Sequence, residues 1–214
     1  MPIILVPIDT VPYSTLLKEV MLHLPIALEF DVEYRMKLAV RDFCRQSRLY
    51  RQENTDLLTT VAGQQSYDAG LPTGTELVAV ASAWDGDEEL DVELPGERDD
   101  YQPGISDSSW VVGVEPTMDA IRLSPAPDTS GLVLKGTIVL APNEESTDLP
   151  AFIYRRWRST IAAGCIAKVK AQTGKPWSDP LGSDVAQRKF DEGCALASNM
   201  AGPVRRRPLR VIPV

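Results

Sequence analysis

Apolar residues in the first 54 positions are spaced in a way that predicts two helices. The segment TLLKEVMLHL has Ser14 as a candidate N-cap and is stopped by Pro25. A second helix is expected over residues 31–51, with Asp31 as its cap, because apolar residues recur there at intervals of three and four. The residues of this predicted buried face are Met36, Ala39, Val40, Phe43 and Cys44.

From residue 55 to 148 the pattern changes to short apolar runs separated by Gly and Pro, which predicts β-strands. The run TELVAVASAW (75–84) meets Asp85-Gly86, a strong hairpin signal. The later runs SWVVGVE, DAIRLSP and GLVLKGTIVLA are spaced as in a small antiparallel sandwich or barrel. Residues 94–109 have no periodicity, so we expect a long exposed loop.

After Leu149-Pro150 the helical spacing returns and predicts a third helix that ends at Lys175. Ala163 and Gly164 are small enough to let another helix approach closely. Its predicted apolar stripe is formed by Ile153, Trp157, Ile161, Ala162, Cys165 and Val169.

A proline-rich elbow and a fourth helix follow, with Asp179 or Ser183 as candidate caps and Gly202-Pro203 as the end. Trp177 lies between Pro176 and Pro180, where an aromatic ring commonly fills a packing gap; contact with a partner is the alternative. The residues expected to face inward on the fourth helix are Val185, Phe190, Cys194, Leu196 and Ala197.

The order of these elements predicts an α+β chain: a bundle of about four helices with an inserted antiparallel β-sandwich or barrel-like domain. Residues 1–54 and 149–202 are assigned to the two parts of the bundle, and residues 55–148 to the β domain. Residues 203–214 are assigned to an extended basic tail.

Charge is distributed unevenly along a chain of 214 residues with a formal net charge of −8. Residues 85–100 contain nine acidic residues and one arginine, whereas the last twelve residues contain four arginines and no acid. A protein that binds duplex DNA specifically needs a surplus of Lys and Arg, so this charge balance disfavours that class.

The residue types needed for catalysis are scarce. The single histidine is His23, and neither a G-x-S-x-G elbow nor a glycine-rich phosphate loop is present. The stretch DGDEELD (85–91) resembles the start of a calcium loop, but Leu90 and Gly96 occupy positions that need Gly and Glu, which favours a charged hairpin tip. We therefore assign no catalytic, cofactor-binding or metal-binding residue.

The cysteines and the N-terminal segment indicate where the chain is made. Cys44, Cys165 and Cys194 form no CxxC pair, as expected for buried, reduced thiols. The segment MPIILVPIDTVP lacks the charged leader of a signal peptide, and no apolar run approaches the roughly 20 residues of a membrane span. We expect synthesis in the cytoplasm and no membrane partner.

The order of several short motifs resembles the head-to-tail adaptor (connector) proteins of tailed bacteriophages, of the tail tubular protein A type. The resemblance covers roughly residues 30–195. The motifs are Phe43-Cys44-Arg45-Gln46-Ser47, Tyr50-Arg51, Gln65-Ser66-Tyr67, Leu71-Pro72-Thr73-Gly74, Asp85-Gly86, Leu123-Ser124-Pro125-Ala126-Pro127, Leu149-Pro150, Tyr154, Gly164, Trp177-Ser178-Asp179-Pro180, Phe190 and Gly193.

This resemblance implies a structural virion protein of the phage neck or tail, made in the host bacterial cytoplasm. Adaptors of this kind form a ring, usually of twelve copies, beneath the portal protein. Genomic DNA passes through the ring without specific binding, and a downstream tail or nozzle protein attaches to it. No catalytic residues come with the family.

The C-terminal tail has no counterpart in the resemblance, so its role is inferred from its composition. Pro203, Pro208 and Pro213 exclude a helix and favour an extended segment, which at about 3.1 Å per residue reaches roughly 35 Å. We expect it to bind the portal or a neighbouring subunit; a disordered tail is the alternative. The binding residues would be Arg205, Arg206, Arg207, Leu209, Arg210, Val211 and Ile212.

Two other functions compete with the adaptor interpretation. One is a small hydrolase that uses the acidic residues of the chain. The other is a regulator that binds nucleic acid through a basic helical face. That face would comprise Arg41, Arg45, Arg48 and Arg51.

Overall fold

The computed structural model describes residues 9–93, 110–115 and 119–202, and within them the chain is α+β, with four helices and a curled seven-stranded sheet. In chain order the elements are β1 (Thr10–Pro12), α1 (Tyr13–Met21), α2 (Glu29–Ser47), β2 (Arg51–Thr59), β3 (Ser66–Asp68), β4 (Thr75–Asp85), β5 (Glu88–Val92), β6 (Val111–Val114), β7 (Ala120–Ser124), β8 (Val133–Pro142), β9 (Asp148–Pro150), α3 (Ala151–Lys170) and α4 (Pro180–Ala201).

The chain divides into two compact units. The helical unit lies within Met1–Ser47 and Pro142–Met200, and the sheet unit lies within Arg48–Ala141 and Ala201–Val214. The predicted four-part division of the sequence stays a prediction. Each unit has a core of its own because each contains large apolar side chains that are fully buried, such as Met36 and Ile153 in the first and Leu77 and Ile121 in the second.

The large sheet has the strand order β2-β8-β4-β5-β6-β7-β3. The predicted hairpin is confirmed: β4 and β5 pair antiparallel, and Asp85 lies opposite Glu88. Strands β5 and β6 instead run parallel, with Asp91 opposite Val111. The expectation of a purely antiparallel sheet is therefore wrong. A parallel pair needs a crossover of a dozen or more residues. The predicted loop 94–109 joins these strands and lies outside the described residues.

The starts of α1 and α2 differ from the sequence prediction. Helix α1 begins at Tyr13 after Pro12 without a side-chain cap, so Ser14 lies inside its first turn and is not the cap. Helix α2 begins at Glu29, so Asp31 is not a cap either. The carboxylate of Asp31 lies in the first turn, where acidic side chains stabilise a helix through its dipole, and it pairs with Arg35 at 3.6 Å.

Two helices end earlier than predicted. Helix α2 ends at Ser47 rather than at residue 51, because Arg48 adopts a left-handed conformation with a φ of 50°. Helix α3 ends at Lys170 rather than at Lys175. Its predicted apolar stripe is buried, except that Ala162 is only partly covered.

Asp179 is confirmed as the cap of α4. Its Oδ1 accepts a hydrogen bond from the Gly182 amide at 2.9 Å, and its Oδ2 accepts one from Lys170 Nζ at 2.9 Å. The lysine first, and then the amide, lower the pKa of the Asp179 carboxyl. The alternative cap, Ser183, instead donates to the carbonyl of Ala167 at 2.9 Å.

The buried face of α4 was only partly predicted. Phe190, Cys194 and Ala197 are buried as expected, but the side chains of Val185 and Leu196 are 49% and 61% exposed. The prediction of these two as inward residues is therefore wrong. Small residues complete the buried face, and Val185 and Leu196 project from the opposite side of the helix. The small buried residues are Ser183, Ala186, Gly193 and Ala197.

Close packing of α3 against α4 explains this choice of face. A Cβ atom at Gly164 would lie 2.5 Å from Cδ2 of Phe190, and one at Gly193 would lie 2.4 Å from Cγ2 of Thr160. Neither position has room for a side chain. The prediction that a small residue at position 164 admits another helix is confirmed.

We predict that Gly164→Ala destabilises the protein by about 1–3 kcal/mol, because overpacking against Phe190 outweighs the gain in helix propensity. Urea denaturation monitored by circular dichroism measures the change. Ser159→Ala, on the exposed side of α3, is the matched control and should change stability by less than about 0.5 kcal/mol. A Gly164→Ala protein as stable as the parent would show that the two helices do not pack this closely.

Candidate functional site

Gly202, the residue that precedes the basic tail, is held by a partly buried arginine. The predicted binding residues of the tail, from Arg205 to Ile212, lie outside the described residues. The structure describes the chain up to Gly202, which has a φ of 72° and ends α4 as predicted. Arg51 donates one hydrogen bond from Nη2 to the carbonyl of Gly202 at 2.9 Å and another from Nε to the carbonyl of Arg48 at 3.1 Å.

The pKa of the Arg51 guanidinium is lowered, first by burial and then by the nearby charge of Arg48. An arginine remains protonated after such a shift because its ordinary pKa is very high. It therefore supplies a positive charge to carbonyls that have no helical partner. Sequence reasoning missed this contact because Arg51 and Gly202 are 151 positions apart, and no local pattern relates them.

The described part of the acidic segment is a hairpin with an exposed tip. Asp87 and Glu88 are exposed at the tip, between β4 and β5. Glu93 is used internally, since its carboxylate pairs with the guanidinium of Arg122 above Gly113. The tip is thus an acidic surface available to a basic partner.

The three neighbouring arginines of α3 bind groups of the helical unit. Arg155 pairs with Asp9 at 2.9 Å, and Arg158 pairs with Glu19 at 3.4 Å. The guanidinium of Arg156 lies 5.8 Å from the ring centroid of Trp157. The carboxylates of Asp9 and Glu19 partly compensate the charges of Arg155 and Arg158, which weakens attraction of phosphate to this helix.

Some arginines of the basic face that a nucleic-acid regulator would need bind groups within the protein. Arg41 lies 3.8 Å from the carboxylate of Glu144. Arg51 is directed at backbone carbonyls, as described above. Arg41 and Arg51 of that face therefore serve internal contacts.

The two tryptophans in or beside α3 have structural contacts. Trp157 is buried, as expected, with its ring centroid 5.7 Å from that of Phe43. Trp177 is partly buried in the elbow, where its Nε1 donates to Oε1 of Gln172 at 3.3 Å. This contact is consistent with the packing role favoured for Trp177.

The described part of the chain places the single histidine at the surface and contains no metal-binding cluster. His23 lies exposed between α1 and α2. Residues 9–93, 110–115 and 119–202 contain no cluster of three or more His, Cys, Asp or Glu side chains that could hold a metal ion. No helix within these ranges is both long and apolar enough to cross a membrane.

Two apolar surfaces of the helical unit are exposed. The first, the α2 groove, is a cavity of about 310 Å³. It is lined by Phe30, Glu33, Tyr34, Lys37, Leu38, Arg41, Asn143 and Glu144. The second, the α4 stripe, runs along the side of α4 that faces away from the core. Its apolar members are Leu181, Val185 and Leu196.

Sequence reasoning missed both surfaces as interaction sites. Phe30 lies before the predicted start of the second helix, and the sequence prediction turned Val185 and Leu196 inward. A usable signal was present in α4, because its apolar residues fall on two opposite sides of the helix rather than on one. Exposed apolar patches of this kind commonly mark interaction sites.

We predict that the native protein resists thiol labelling. Burial raises the pKa of Cys165 and of Cys194 to about 12, and only the thiolate reacts. At pH 8 these thiols should react roughly a thousandfold more slowly than a free cysteine.

The same burial makes the free energy of unfolding depend on pH. It should fall as pH rises from 9 to about 12, because thiols of the unfolded chain, with a pKa near 9.0, lose their protons before those of the folded chain.

The labelling is measured with an aromatic disulfide reagent, and the same protein in guanidinium is the control, in which all three thiols should react at once. Rapid reaction of Cys165 or Cys194 in the folded protein would contradict the burial described here.

Comparison with known proteins identifies the class to which this architecture belongs. No curated protein sequence matches the chain. The family model described as SU10 adaptor protein matches residues 11–207, a span that includes all four described helices. The family match confirms the resemblance to phage connectors that the order of motifs indicated. Proteins of this family are located in the neck of the virion. The chain belongs to the SU10 adaptor protein family, a family of phage head-to-tail adaptors.

Proposed function

We propose that this chain is a structural protein that forms a closed ring beneath the portal, with twelve copies as the expected number. The ring would leave a channel for the genome and present a platform to which a downstream tail or nozzle protein attaches. The observation that carries this proposal is the family match over residues 11–207. The exposed α2 groove and α4 stripe add support, because a ring needs contact surfaces on each subunit.

The finer architecture belongs to the same proposal. We infer that the four helices form one bundle and that the β domain is inserted between α2 and α3. Contacts of α2 with α1 and α3 support this, as does the packing of Phe190 on Gly164. The sheet strands also fall, in sequence, between Ser47 and Asp148. In this arrangement the role requires binding surfaces and no chemical turnover.

The tail is proposed to be the part that reaches another subunit or the portal. Arg51 binds the carbonyl of Gly202, the residue that precedes the twelve residues of the tail. Its arginines suit an acidic surface such as the hairpin tip at Asp87 and Glu88. The alternating residues 209–212 suit addition to a sheet edge.

Passage of DNA without capture is the other element of the proposal. Contacts of Lys and Arg with phosphates release counterions and hold the strand. The net charge of −8 works against such contacts, and the α3 arginines are engaged by Asp9, Glu19 and Trp157. A channel lined by this protein would therefore let DNA slide.

We predict that deletion of residues 203–214 leaves a folded protein that no longer joins the portal or the ring. Negative-stain imaging and co-sedimentation with purified portal measure assembly, and circular dichroism confirms folding. Two matched variants separate the contributions: neutral Gln at all four tail arginines tests charge, and Ser at Leu209, Val211 and Ile212 tests strand addition. Normal assembly of the truncated chain would show that the tail does not dock.

A second prediction concerns DNA. In filter binding at physiological salt, duplex should be retained only in the non-specific range, with a Kd weaker than about 10⁻⁶ M. Asp87→Lys with Glu88→Lys is a comparison variant that makes the exposed tip basic and should tighten binding. Tight, salt-sensitive binding by the unmodified chain would favour the nucleic-acid regulator over the adaptor.

A further inference from the structure

The α2 groove and the α4 stripe carry complementary charges at the same spacing. Along the groove, Glu33 is followed four residues later by Lys37. Along the stripe, Arg188 is followed four residues later by Glu192. The sign order is therefore minus then plus on α2, and plus then minus on α4. Residues four apart lie on one face of a helix, so each pair is presented together.

Among the described residues, these four charges have no oppositely charged partner. Within residues 9–93, 110–115 and 119–202, none of them forms a salt bridge or a side-chain hydrogen bond. The ammonium of Lys37 lies 5.9 Å from the ring centroid of Tyr13, a cation–π contact that does not neutralise its charge. Unpaired charges beside exposed apolar groups are typical of an interface that another molecule completes.

The apolar groups fit the same alignment. If Glu33 is set against Arg188 and Lys37 against Glu192, with the two helices parallel, Phe30 falls opposite Val185. The side chains of Phe30 and Leu181 are 72% and 77% exposed, an unusual state for groups whose burial stabilises proteins by about 1.5–3 kcal/mol each. Leu196 then lies near Leu38 and Arg41 at the other end of the groove.

We propose that the α4 stripe of one copy of this chain binds in the α2 groove of the next copy. This inference rests on the ring function proposed above and names the surfaces that would form it. Because the two surfaces differ, the contact is head-to-tail, and it gives a ring when its rotation divides a full turn evenly. A symmetric dimer would instead bring the same surface from both copies together.

Charge exchange tests the alignment. Lys37→Glu and Glu192→Lys should each weaken self-association about tenfold, because each places like charges opposite each other. The double variant should recover most of the loss. The matched control is Asp191→Lys. This residue precedes Glu192 but lies about 100° away around the helix, so the variant should assemble as the parent does. Association is measured by mass photometry, with purified portal present if the chain assembles only there.

Cross-linking tests which surfaces meet. A Leu38→Cys chain mixed with a Leu196→Cys chain should give covalent dimers under mild oxidation, while either chain alone should give none. The native cysteines are buried, so they should not interfere. Dimers from one variant alone would indicate a symmetric contact and would overturn the proposal.

The remaining outcomes separate this inference from the ring itself. If rings form normally when either Lys37→Glu or Glu192→Lys is present alone, the ring function stands and this interface is wrong. If Glu192→Lys loses portal binding and the double variant does not recover, the portal covers the stripe. The thiol of a Leu196→Cys variant can be labelled in the full chain and in a chain without residues 203–214. If it reacts only in the shortened chain, the chain's own tail covers the stripe. Both of these results contradict the proposal. Absence of rings from the parent chain under all conditions, with portal included, overturns the proposed function.

Discussion

The packing of α3 against α4 is the constraint on which the exposed surfaces of this protein depend. Gly164 and Gly193 leave no room for side chains, so Phe190 and Thr160 bring the two helices together at close range. That contact selects a buried face of small residues on α4. Its larger aliphatic residues, Val185 and Leu196 among them, are consequently left on the outside. The packing of α3 against α4 inside one subunit thereby determines which apolar residues that subunit exposes.

Much of the fold could be predicted because its signals are local. Helical and strand periodicity located the main elements, and Asp179 and Gly202 marked the two ends of α4. The face of α4 could not be predicted, since apolar residues occur on both of its sides and periodicity alone does not choose between them. The Arg51–Gly202 contact and the parallel β5–β6 pair depend on residues distant in sequence, which local patterns do not relate.

The distribution of charge agrees with a role in assembly. Asp87 and Glu88 at the hairpin tip are exposed, whereas Arg155 and Arg158 of α3 pair with carboxylates of the helical unit. Membership of an adaptor family gives this pattern a functional setting in the phage neck, between head and tail. The proposed ring would then depend on apolar contact and complementary charge between copies, with the tail adding a second attachment.

Native mass spectrometry of the chain bound to its purified portal tests the central claim most directly. The account predicts a discrete complex in which a single closed ring of this protein, about twelve copies, is added to the portal. A portal that remains bare in the presence of excess folded protein, or one that carries a few independent copies without ring closure, would contradict the claim that these subunits bind one another to form the neck.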